Sequence, residues 1–558
     1  MTRIKRPGTT SLLAHSLVQI QRNPRRKRRR DQSFHRSVVL VCIGGCFVVT
    51  GSLVKIIGGL SSLFPRSSHH SNPEIKQLQQ IFPVHTCDDE MEDVDHPGFQ
   101  MADSVRLSAI FGDVELPKTM KVPKFWNPPA YGGVREFLGN NGRYLITKEE
   151  ADAIGSKHNG EETIFISLAS YRDPECTPTV ESIFQRAKNP NRIRVAIIDQ
   201  RKNDEDPSCN RPLVPCEQDP GQVLCRFEHL IDYREYEAHL MVGPTFARHI
   251  GHRMYRGEYF SMQVDSHVRF VEHWDEDIID QWTSAGDEMA VLTTYMSDVV
   301  NSIDPVSHKS LRENRAIMCN ALFDGIGDST EHIRFGVQPN SKPKIKSSPM
   351  LEPFWAAGFS FARGHFLVQV PYDAYLPLVF QGEEISMTVR GFTYGYDFFA
   401  PVRNVAFHMY AIRGNQEQRL KVKTFIENET IFPGAKEKAY HRLNGIIRLS
   451  KAAPFYDKEQ SSYGLGNART PHIFYRTFGI SPERSEMEPR LCDFVRGVSP
   501  HKSMHDQLSP FLRKDGMGID YGKVGYVYRE RPLTDSVTDS VELVTLQASI
   551  RKRTMEKM

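Results

Sequence analysis

The sequence predicts an α/β fold with a parallel sheet, and three observations predict it. Residues 163–169 and 192–198 are short apolar runs of the kind found in buried strands. Residues 177–188, between them, carry apolar side chains at helical spacing. Strand, helix and strand in this order imply parallel strands joined by a right-handed crossover. Ligands bind beyond the carboxyl ends of such strands, which places a candidate nucleotide site at residues 170–173 and 199–200.

The alternation of helix and strand continues toward the carboxyl terminus. It predicts, in order, a helix at 244–256, a strand at 259–264, a helix at 271–285, a strand at 289–294 and an amphipathic helical region at 416–452. Residues 301–350 are polar and are expected to form loops. The predicted folded domain is therefore residues 161–483.

The amino-terminal segment predicts a membrane anchor. A basic tail, residues 1–37, precedes an apolar stretch at 38–60 that Lys55 interrupts. The 17 residues from Val38 to Val54 would span roughly 26 Å as a helix, close to the hydrocarbon thickness of a bilayer. Because the basic residues lie on the amino side, we expect a type II anchor that places the remainder in the lumen of the ER or Golgi. A cleaved signal and an organelle transit peptide are the alternatives.

Two further segments lack sustained periodicity. Residues 61–160 are rich in Ser, Pro and His or are acidic, and they are expected to form a stem and lead-in of loops. Residues 484–558 are expected to form a carboxyl-terminal extension that is partly disordered, above all at 529–558.

Charge and cysteine content narrow the class of protein. Residues 1–36 hold 11 of the 71 Lys and Arg residues and one of the 68 acids, so the rest of the chain has a net charge of −7. That acidity argues against a nucleic-acid-binding protein. Seven of the nine cysteines lie beyond the apolar stretch, and none forms a CxxC pair. They fit a few disulfides with one thiol left over, or else free buried cysteines.

The strand predicted at 259–264 leads into Asp265-Ser266-His267, which indicates a metal site. Side chains alternate along a strand, so Asp265 and His267 should point the same way. A carboxylate and an imidazole together suit Mn²⁺ better than Ca²⁺. His408 is the candidate third ligand. An acid that merely solvates the end of a strand, and a structural histidine, are the competing interpretations.

A second cluster contains Glu383 and Glu384, followed by Arg390. Adjacent carboxylates can orient sugar hydroxyls or stabilise a developing oxocarbenium ion. The alternative is a helix start at which the dipole favours acids. Three arginines beside these segments, Arg172, Arg248 and Arg413, could contact phosphate oxygens or form surface salt bridges.

Several longer stretches occur together in one order. They are residues 166–174, 243–248, 263–270 with Trp274-Asp275, 357–361, 382–397 and 407–410, and finally 463–469. Taken together they resemble the polypeptide N-acetylglucosaminyltransferases of glycosyltransferase family 60, which include hydroxyproline-directed enzymes. The resemblance covers about 160–480.

The resemblance implies a GT-A fold, a Rossmann-like mixed sheet flanked by helices. It also implies UDP-N-acetylglucosamine (UDP-GlcNAc) as donor, a divalent cation such as Mn²⁺, retention of the α linkage, and a protein acceptor at hydroxyproline, Thr or Ser. Position by position, it implies a metal site at Asp265, His267 and His408, nucleotide contacts at Tyr171, Arg172 and Arg248, and sugar contacts at Gly358, Glu383 and Glu384.

The chain departs from the resemblance in one respect. The hydroxyproline-directed relatives that modify a ubiquitin-ligase subunit are cytoplasmic, whereas the predicted anchor indicates the Golgi and secreted acceptors. Asn428-Glu429-Thr430 is a glycosylation sequon compatible with a lumenal location. Two alternatives stay open: the same fold with UDP-GalNAc or UDP-Gal as donor, and a non-catalytic, membrane-tethered carbohydrate-binding protein.

Overall fold

The structure is a computed structural model. It describes residues 91–103, 116–126, 146–335, 345, 347–410, 424–449, 454–498, 502–524, 526–528 and 543–545. All of these lie within the compact unit formed by residues 71–558. The predicted basic tail and the predicted anchor at 38–60 lie outside the described residues. Among the residues that are described, no helix is long and apolar enough to span a bilayer.

A mixed sheet of eight strands forms the centre of the described chain. In chain order the strands are β1 Ile164–Tyr171, β2 Ile193–Arg201, β3 Ile231–Glu237, β4 Phe260–Asp265, β5 Ala290–Thr293, β6 Met350–Leu351, β7 Phe359–Arg363 and β8 Asp397–Ala400. Their order across the sheet is β6-β8-β5-β7-β4-β1-β2-β3. The α/β fold predicted from the sequence is confirmed, with a mixed rather than wholly parallel sheet.

The pairing directions decide which loops share an edge of the sheet. Strands β3, β2, β1 and β4 are mutually parallel, so their carboxyl ends meet at one edge. Strand β7 runs antiparallel to both β4 and β5. Residue 358, which precedes β7, therefore lies at the same edge as Asp265, the last residue of β4, and the backbone N–H of Asp265 donates to the carbonyl of Gly358 at 3.3 Å.

Helices cover the sheet. The longer ones are α1 Cys176–Arg186, α2 Pro244–Arg253, α3 Trp274–Ala285, α4 Glu383–Thr393 and α5 Ala435–Ile446. Pro244 stands at the first position of α2, where a missing N–H costs nothing. Strand β1 is buried along both faces, as its nearly continuous apolar run requires. The helices predicted at 177–188, 244–256 and 271–285 are confirmed with ends shifted by up to three residues.

Two predicted segments differ from the structure. Residues 301–350 were expected to be loops, but Ala321–Asp324 pairs antiparallel with His332–Phe335. These strands are four residues long and only partly buried, so they leave no clear period in the sequence. Of the helical region at 416–452, the described part has a 3₁₀ turn at Phe425–Asn428 and α5, because Gly434 ends the preceding turn in a left-handed conformation.

The lead-in at 61–160, where loops were expected, contains regular structure in its described part. Met91–Asp95 pairs with Thr119–Pro123, and short helices lie at Pro97–Met101 and Lys148–Asp152. His96 shows why local sequence pattern does not predict this structure. Its Nε2 lies 2.7 Å from the carbonyl of Leu240, a contact across 144 residues that no local pattern reveals.

The carboxyl-terminal extension packs against the sheet between residues 491 and 524. Short helices lie at Leu491–Arg496 and Met504–Leu508. Asp397 in β8 accepts two hydrogen bonds from the Arg469 guanidinium at 2.9 Å and one from the backbone of Ile519 at 2.8 Å. Within the tail expected to be disordered, Leu543–Thr545 forms a strand paired with Tyr526–Tyr528; the rest of 529–558 lies outside the described residues.

The described cysteines form three disulfides, as one of the two sequence interpretations expected. The pairs are Cys176–Cys209, Cys216–Cys225 and Cys319–Cys492, while Cys87 lies outside the described residues.

The asparagine of the predicted glycosylation sequon has a structural role in the folded chain. Asn428 is buried, and its amide donates to the carbonyls of Ala238 and Met241 at 2.6 and 2.8 Å, so in the folded chain it is not an accessible glycan acceptor.

Candidate active site

Three of the residues singled out in the sequence come together at the carboxyl edge of the sheet. Asp265, His267 and His408 each offer one ligand atom, and these atoms all lie within 4.8 Å of one another. We call these three residues the cation cluster. The two imidazole rings are 4.5 Å apart between centroids and nearly perpendicular, and His408 Nε2 lies 3.2 Å from Asp265 Oδ2.

Backbone pairing explains how residues 140 positions apart in the chain meet. After β4, Val268–Phe270 forms a two-stranded ribbon with Ala406–His408, and His408 stands opposite Val268. The N–H of Met409 donates to the carbonyl of His267 at 2.9 Å, which closes the ribbon next to the cluster. The position of His408 is thus set by main-chain hydrogen bonds rather than by side-chain packing alone.

The donor set fits a divalent cation of borderline softness. One carboxylate and two imidazoles are typical ligands of Mn²⁺ and similar ions. Gly358 leaves the approach to Asp265 open, because a Cβ there would lie 2.9 Å from Asp265 Oδ2. Burial by itself would raise the pKa of Asp265, but hydrogen bonding from His408 and the charge of Arg248 hold it well below its usual range. The ligand carboxyl is therefore ionised.

Asp173 extends the cluster by one residue. Its Oδ2 lies 2.6 Å from His267 Nδ1 and also accepts a hydrogen bond from the Ser266 hydroxyl at 2.7 Å. Burial works to raise the pKa of Asp173, yet the hydrogen bonds from His267 and Ser266 lower it below its ordinary value. The turn containing Asp173 is expected at the ligand edge from the sequence, but no local pattern identifies Asp173 as the partner of His267.

Arg248 in α2 joins the cation cluster to the carboxylates of α4. One guanidinium nitrogen donates to Asp265 Oδ1 at 2.7 Å, and the other donates to Glu383 Oε1. The guanidinium is buried, which would lower its pKa, but the charges of Glu383 and Asp265 keep that pKa raised. Arg248 was expected to contact a nucleotide; in this structure it neutralises two acids that would otherwise repel each other.

The two glutamates differ in how their oxygens are used. Glu383 Oε2 is buried and has no hydrogen-bond partner in the described part of the chain. Glu384 has both oxygens engaged: Oε1 accepts from the N–H of Ala357 at 2.9 Å, and Oε2 accepts from the Tyr295 hydroxyl at 2.6 Å. Burial raises the pKa of both carboxyls, that of Glu384 to about 8.

Tyr171 and Arg172, expected to contact a nucleotide, lie at the carboxyl end of β1. Arg172 has a left-handed backbone conformation, with φ of 51°. Its buried guanidinium pairs with Glu205, Asp206 and Glu427 at 2.5, 2.7 and 3.0 Å, and the Tyr171 hydroxyl donates to Glu427 at 2.7 Å. We call these residues the Arg172 corner. Arg413, the remaining expected contact, lies outside the described residues.

Tyr295 was also missed by the sequence argument. It follows β5, whose carboxyl end lies at the ligand edge because β5 and β4 both run antiparallel to β7. A tyrosine two residues beyond a strand at that edge was the available signal, but its partner, Glu384, is 89 residues away. Only the fold brings the two together.

Comparison with known proteins gives one family and many similar solved structures, of which two are described. A family model described as glycosyltransferase (GlcNAc) matches residues 163–227 and 215–484, together more than half of the chain. A crystal structure of GalNAc-T7 with UDP, GalNAc and Mn²⁺ is similar at 15% identity and a TM-score of 0.37, covering 61% of this chain and 60% of that one. S. aureus TarS 1–349 in complex with UDP-GlcNAc is similar at 11% identity and a TM-score of 0.28, covering 46% of this chain and 60% of that one.

The chain thus spans about three fifths of each of these two solved chains. A comparison with curated protein sequences finds no match.

Proposed function

This chain belongs to the glycosyltransferase (GlcNAc) family, and on that premise we propose that it is a retaining, GT-A type enzyme that moves N-acetylglucosamine from UDP-GlcNAc to a protein hydroxyl. The acceptor is hydroxyproline, Thr or Ser, and the reaction depends on a divalent cation such as Mn²⁺. The observation that supports this proposal most strongly is the cation cluster, which lies at the ligand edge of the sheet and is joined to Glu383 through Arg248.

Asp265, His267 and His408 would hold the cation. Bound there, it would supply the positive charge that stabilises the diphosphate leaving group as the bond to the sugar breaks. The chain prepares the ligands for this. Asp265 is kept ionised, and its side chain, 24% exposed, is the most accessible of the three.

The two glutamates take different parts in this proposal. Glu383 Oε2, which is buried and has no hydrogen-bond partner among the described residues, is placed to accept a hydrogen bond from a sugar hydroxyl, while Arg248 holds the other oxygen. Such a bond would satisfy a polar atom whose burial otherwise carries a cost. Glu384 has no oxygen to spare, so it acts on the position of the Ala357–Gly358 backbone through its bond to the N–H of Ala357.

The nucleotide contacts remain with Tyr171, Arg172 and Arg248, and with Arg413. Tyr171 and Arg172 end β1, and ligands in parallel α/β sheets bind beyond such ends. Glu427 contacts both side chains and is itself 38% exposed. It is therefore the carboxylate of the Arg172 corner that a nucleotide phosphate would most readily displace from Arg172.

We also propose that the catalytic domain lies in the lumen of the Golgi or ER, held by the anchor at residues 38–60. The three disulfides of the described chain support this location, because disulfides persist in oxidising compartments and are rare in the cytosol. The protein partners are then secreted or membrane acceptors, and no nucleic acid is involved.

Mass spectrometry of acceptor peptides tests the proposal. The full-length chain is incubated with Mn²⁺, a library of hydroxyproline, Thr and Ser peptides, and UDP-GlcNAc, UDP-GalNAc or UDP-Gal in separate reactions. We expect addition of one N-acetylhexosamine from UDP-GlcNAc, and NMR of the purified glycopeptide should show the α anomer. An E383Q chain serves as the control and should transfer at least about 10²-fold more slowly.

Three outcomes would contradict different parts of the proposal. Transfer from UDP-GalNAc or UDP-Gal alone would replace the donor and leave the fold and the cation in place. Binding of UDP-sugars without transfer to any peptide or to water would favour a carbohydrate-binding protein instead. A β-linked product would contradict retention.

A further inference from the structure

The Nδ1 atom of His267 contacts the carboxylate of Asp173, a residue to which neither the sequence pattern nor the resemblance assigns a role toward this histidine. Asp173 is 5% exposed, and its Oδ2 receives both the His267 Nδ1 contact at 2.6 Å and the Ser266 hydroxyl at 2.7 Å. Its other oxygen accepts the N–H of Glu175 at 2.9 Å. Both carboxylate oxygens are therefore committed to donors within the chain.

This arrangement fixes where the proton of the imidazole lies. Because both oxygens of Asp173 already accept, one from the N–H of Glu175 and one from the Ser266 hydroxyl, the hydrogen of the 2.6 Å contact is assigned to His267 Nδ1. A neutral imidazole protonated at Nδ1 carries its lone pair on Nε2. The nitrogen that remains for the cation cluster is then Nε2, in the form that binds a metal.

A second set of contacts fixes the backbone on both sides of His267. The buried Thr179 hydroxyl in α1 donates to the carbonyl of Ser266 at 2.8 Å and accepts the N–H of Val268 at 2.9 Å. Residues 173–179 thus hold both the backbone around His267 and its ring. The two contacts are independent, because one acts on the main chain and the other on the imidazole.

We propose that Asp173 is a positioning residue that holds His267 as its Nδ1–H tautomer and aims Nε2 at a divalent cation shared with Asp265 and His408. This inference rests on the cation site of the proposed function. Partners of this kind, a carboxylate behind a metal-binding histidine, typically change metal affinity about 10- to 100-fold when removed.

The substitution Asp173→Asn tests the proposal with little change in shape. The asparagine oxygen can keep the bond from the N–H of Glu175, but its NH₂ then replaces the Oδ2 that faced His267. Two N–H groups cannot bond to each other, so the imidazole must give up its Nδ1 hydrogen and carry it on Nε2 instead. The nitrogen that should bind the cation is then blocked by a proton.

The measurement is Mn²⁺ binding to the full-length chain without nucleotide, followed by the electron paramagnetic resonance signal of free Mn²⁺. We expect D173N to bind Mn²⁺ about 10- to 100-fold more weakly than the unchanged chain. The matched control is D275N. Asp275 is another fully buried aspartate: it accepts the backbone N–H groups of residues 188 and 189 and pairs with Arg192 rather than with the cluster. D275N should keep the unchanged Mn²⁺ affinity even where it lowers the unfolding midpoint.

A milder variant keeps the test decisive if D173N does not fold. S266A leaves Asp173 in place and removes only the second donor to Oδ2, so we expect Mn²⁺ affinity to fall about two- to tenfold, the value of one hydrogen bond. If D173N folds and binds Mn²⁺ as tightly as the unchanged chain, the inference about Asp173 is overturned while the cation site stands. If D173N does not fold, equal Mn²⁺ affinity of S266A and the unchanged chain has the same consequence. Absence of Mn²⁺ binding by the unchanged chain would instead contradict the cation site, and the inference with it.

Discussion

The cation cluster and the Arg172 corner lie at the ends of neighbouring strands, and the sequence singled out both as ligand contacts. In the cluster, three ligand atoms lie within 4.8 Å and Asp265 is the most accessible. In the corner, the Arg172 guanidinium is surrounded by Glu205, Asp206 and Glu427. The difference teaches that residue type predicts which chemistry a position can perform, while the fold decides whether the partner is a ligand or the chain itself.

The largest expected effect concerns the cluster. We expect D265N to lower the rate of transfer from UDP-GlcNAc by about 10³-fold, since a lost metal ligand removes several kcal/mol of leaving-group stabilisation. The rate is measured as UDP release at saturating Mn²⁺. D232N is the control. Asp232 lies on β3, where it pairs with Arg194 of β2, away from the cluster residues. A D265N rate within tenfold of that of the unchanged chain would show that Asp265, like the acids around Arg172, serves the folded chain rather than a ligand. The contrast between the cluster and the corner would then be wrong.

The next effect concerns Arg248, which links the cluster to Glu383. We expect R248M to lower the free energy of unfolding by about 3 kcal/mol, because it leaves the buried carboxylate of Glu383 and the partly buried carboxylate of Asp265 without their shared cation. Chemical denaturation measures this. R192M, which breaks the buried pair with Asp275, should destabilise to a similar degree and leave the KM for donor unchanged. An R248M chain that kept its full free energy of unfolding would contradict the role of Arg248 as the shared partner of the two acids, whatever its KM for donor.

A smaller expected effect is the pH dependence of stability that comes from Glu384. Burial raises the pKa of Glu384 to about 8 from an ordinary value of 4.5, so between these pH values the folded chain holds a proton that the unfolded chain releases. The contribution of this group to stability is therefore present at low pH and is lost as the pH rises toward 8.

We expect E384Q to gain stability relative to the unchanged chain by at least about 1.4 kcal/mol, the value of one pKa unit, between pH 5 and pH 8. Glutamine can keep the bond from the N–H of Ala357 and carries no charge at either pH. Urea unfolding at several pH values measures the difference. A difference that does not change with pH would contradict the raised pKa.

The smallest effect concerns the corner itself. Because Glu427 is partly exposed and Arg172 keeps Asp206 and Glu205, E427Q should cost less than about 1 kcal/mol of stability. Freed from this competitor, Arg172 should bind donor better, and the KM for UDP-GlcNAc should fall by up to about fivefold. A rise in KM would show that Glu427 positions Arg172 for the nucleotide. The corner would then be prepared for a ligand, as the cluster is.

Local pattern was sufficient for four of the eight strands of the central sheet, β1, β2, β4 and β5. The apolar runs at 163–169 and 192–198 became β1 and β2 because a strand buried on both faces must be apolar throughout. The pair Ala321–Asp324 and His332–Phe335 was missed, since strands of four residues that are not buried throughout need no such run. The predicted anchor stays a prediction.

The site was predicted only as far as local chemistry reaches. Asp265 and His267 follow from a strand that ends at the ligand edge, and His408 came from its type and the resemblance. Asp173 acts on a histidine 94 residues away, and Glu427 neutralises an arginine 255 residues away. The sequence around each of these acids is no different from that around a solvated surface acid. Their partners can therefore be identified only from the folded structure.

The requirement for a cation tests the account most directly. The full-length chain is stripped of metal with EDTA, dialysed, and titrated with Mn²⁺ while release of UDP from UDP-GlcNAc is followed. We predict no release above the uncatalysed background without Mn²⁺ and a saturable recovery that the H408A chain does not show. Full activity in the stripped chain, or an identical titration for H408A, would contradict the assignment of a cation to Asp265, His267 and His408.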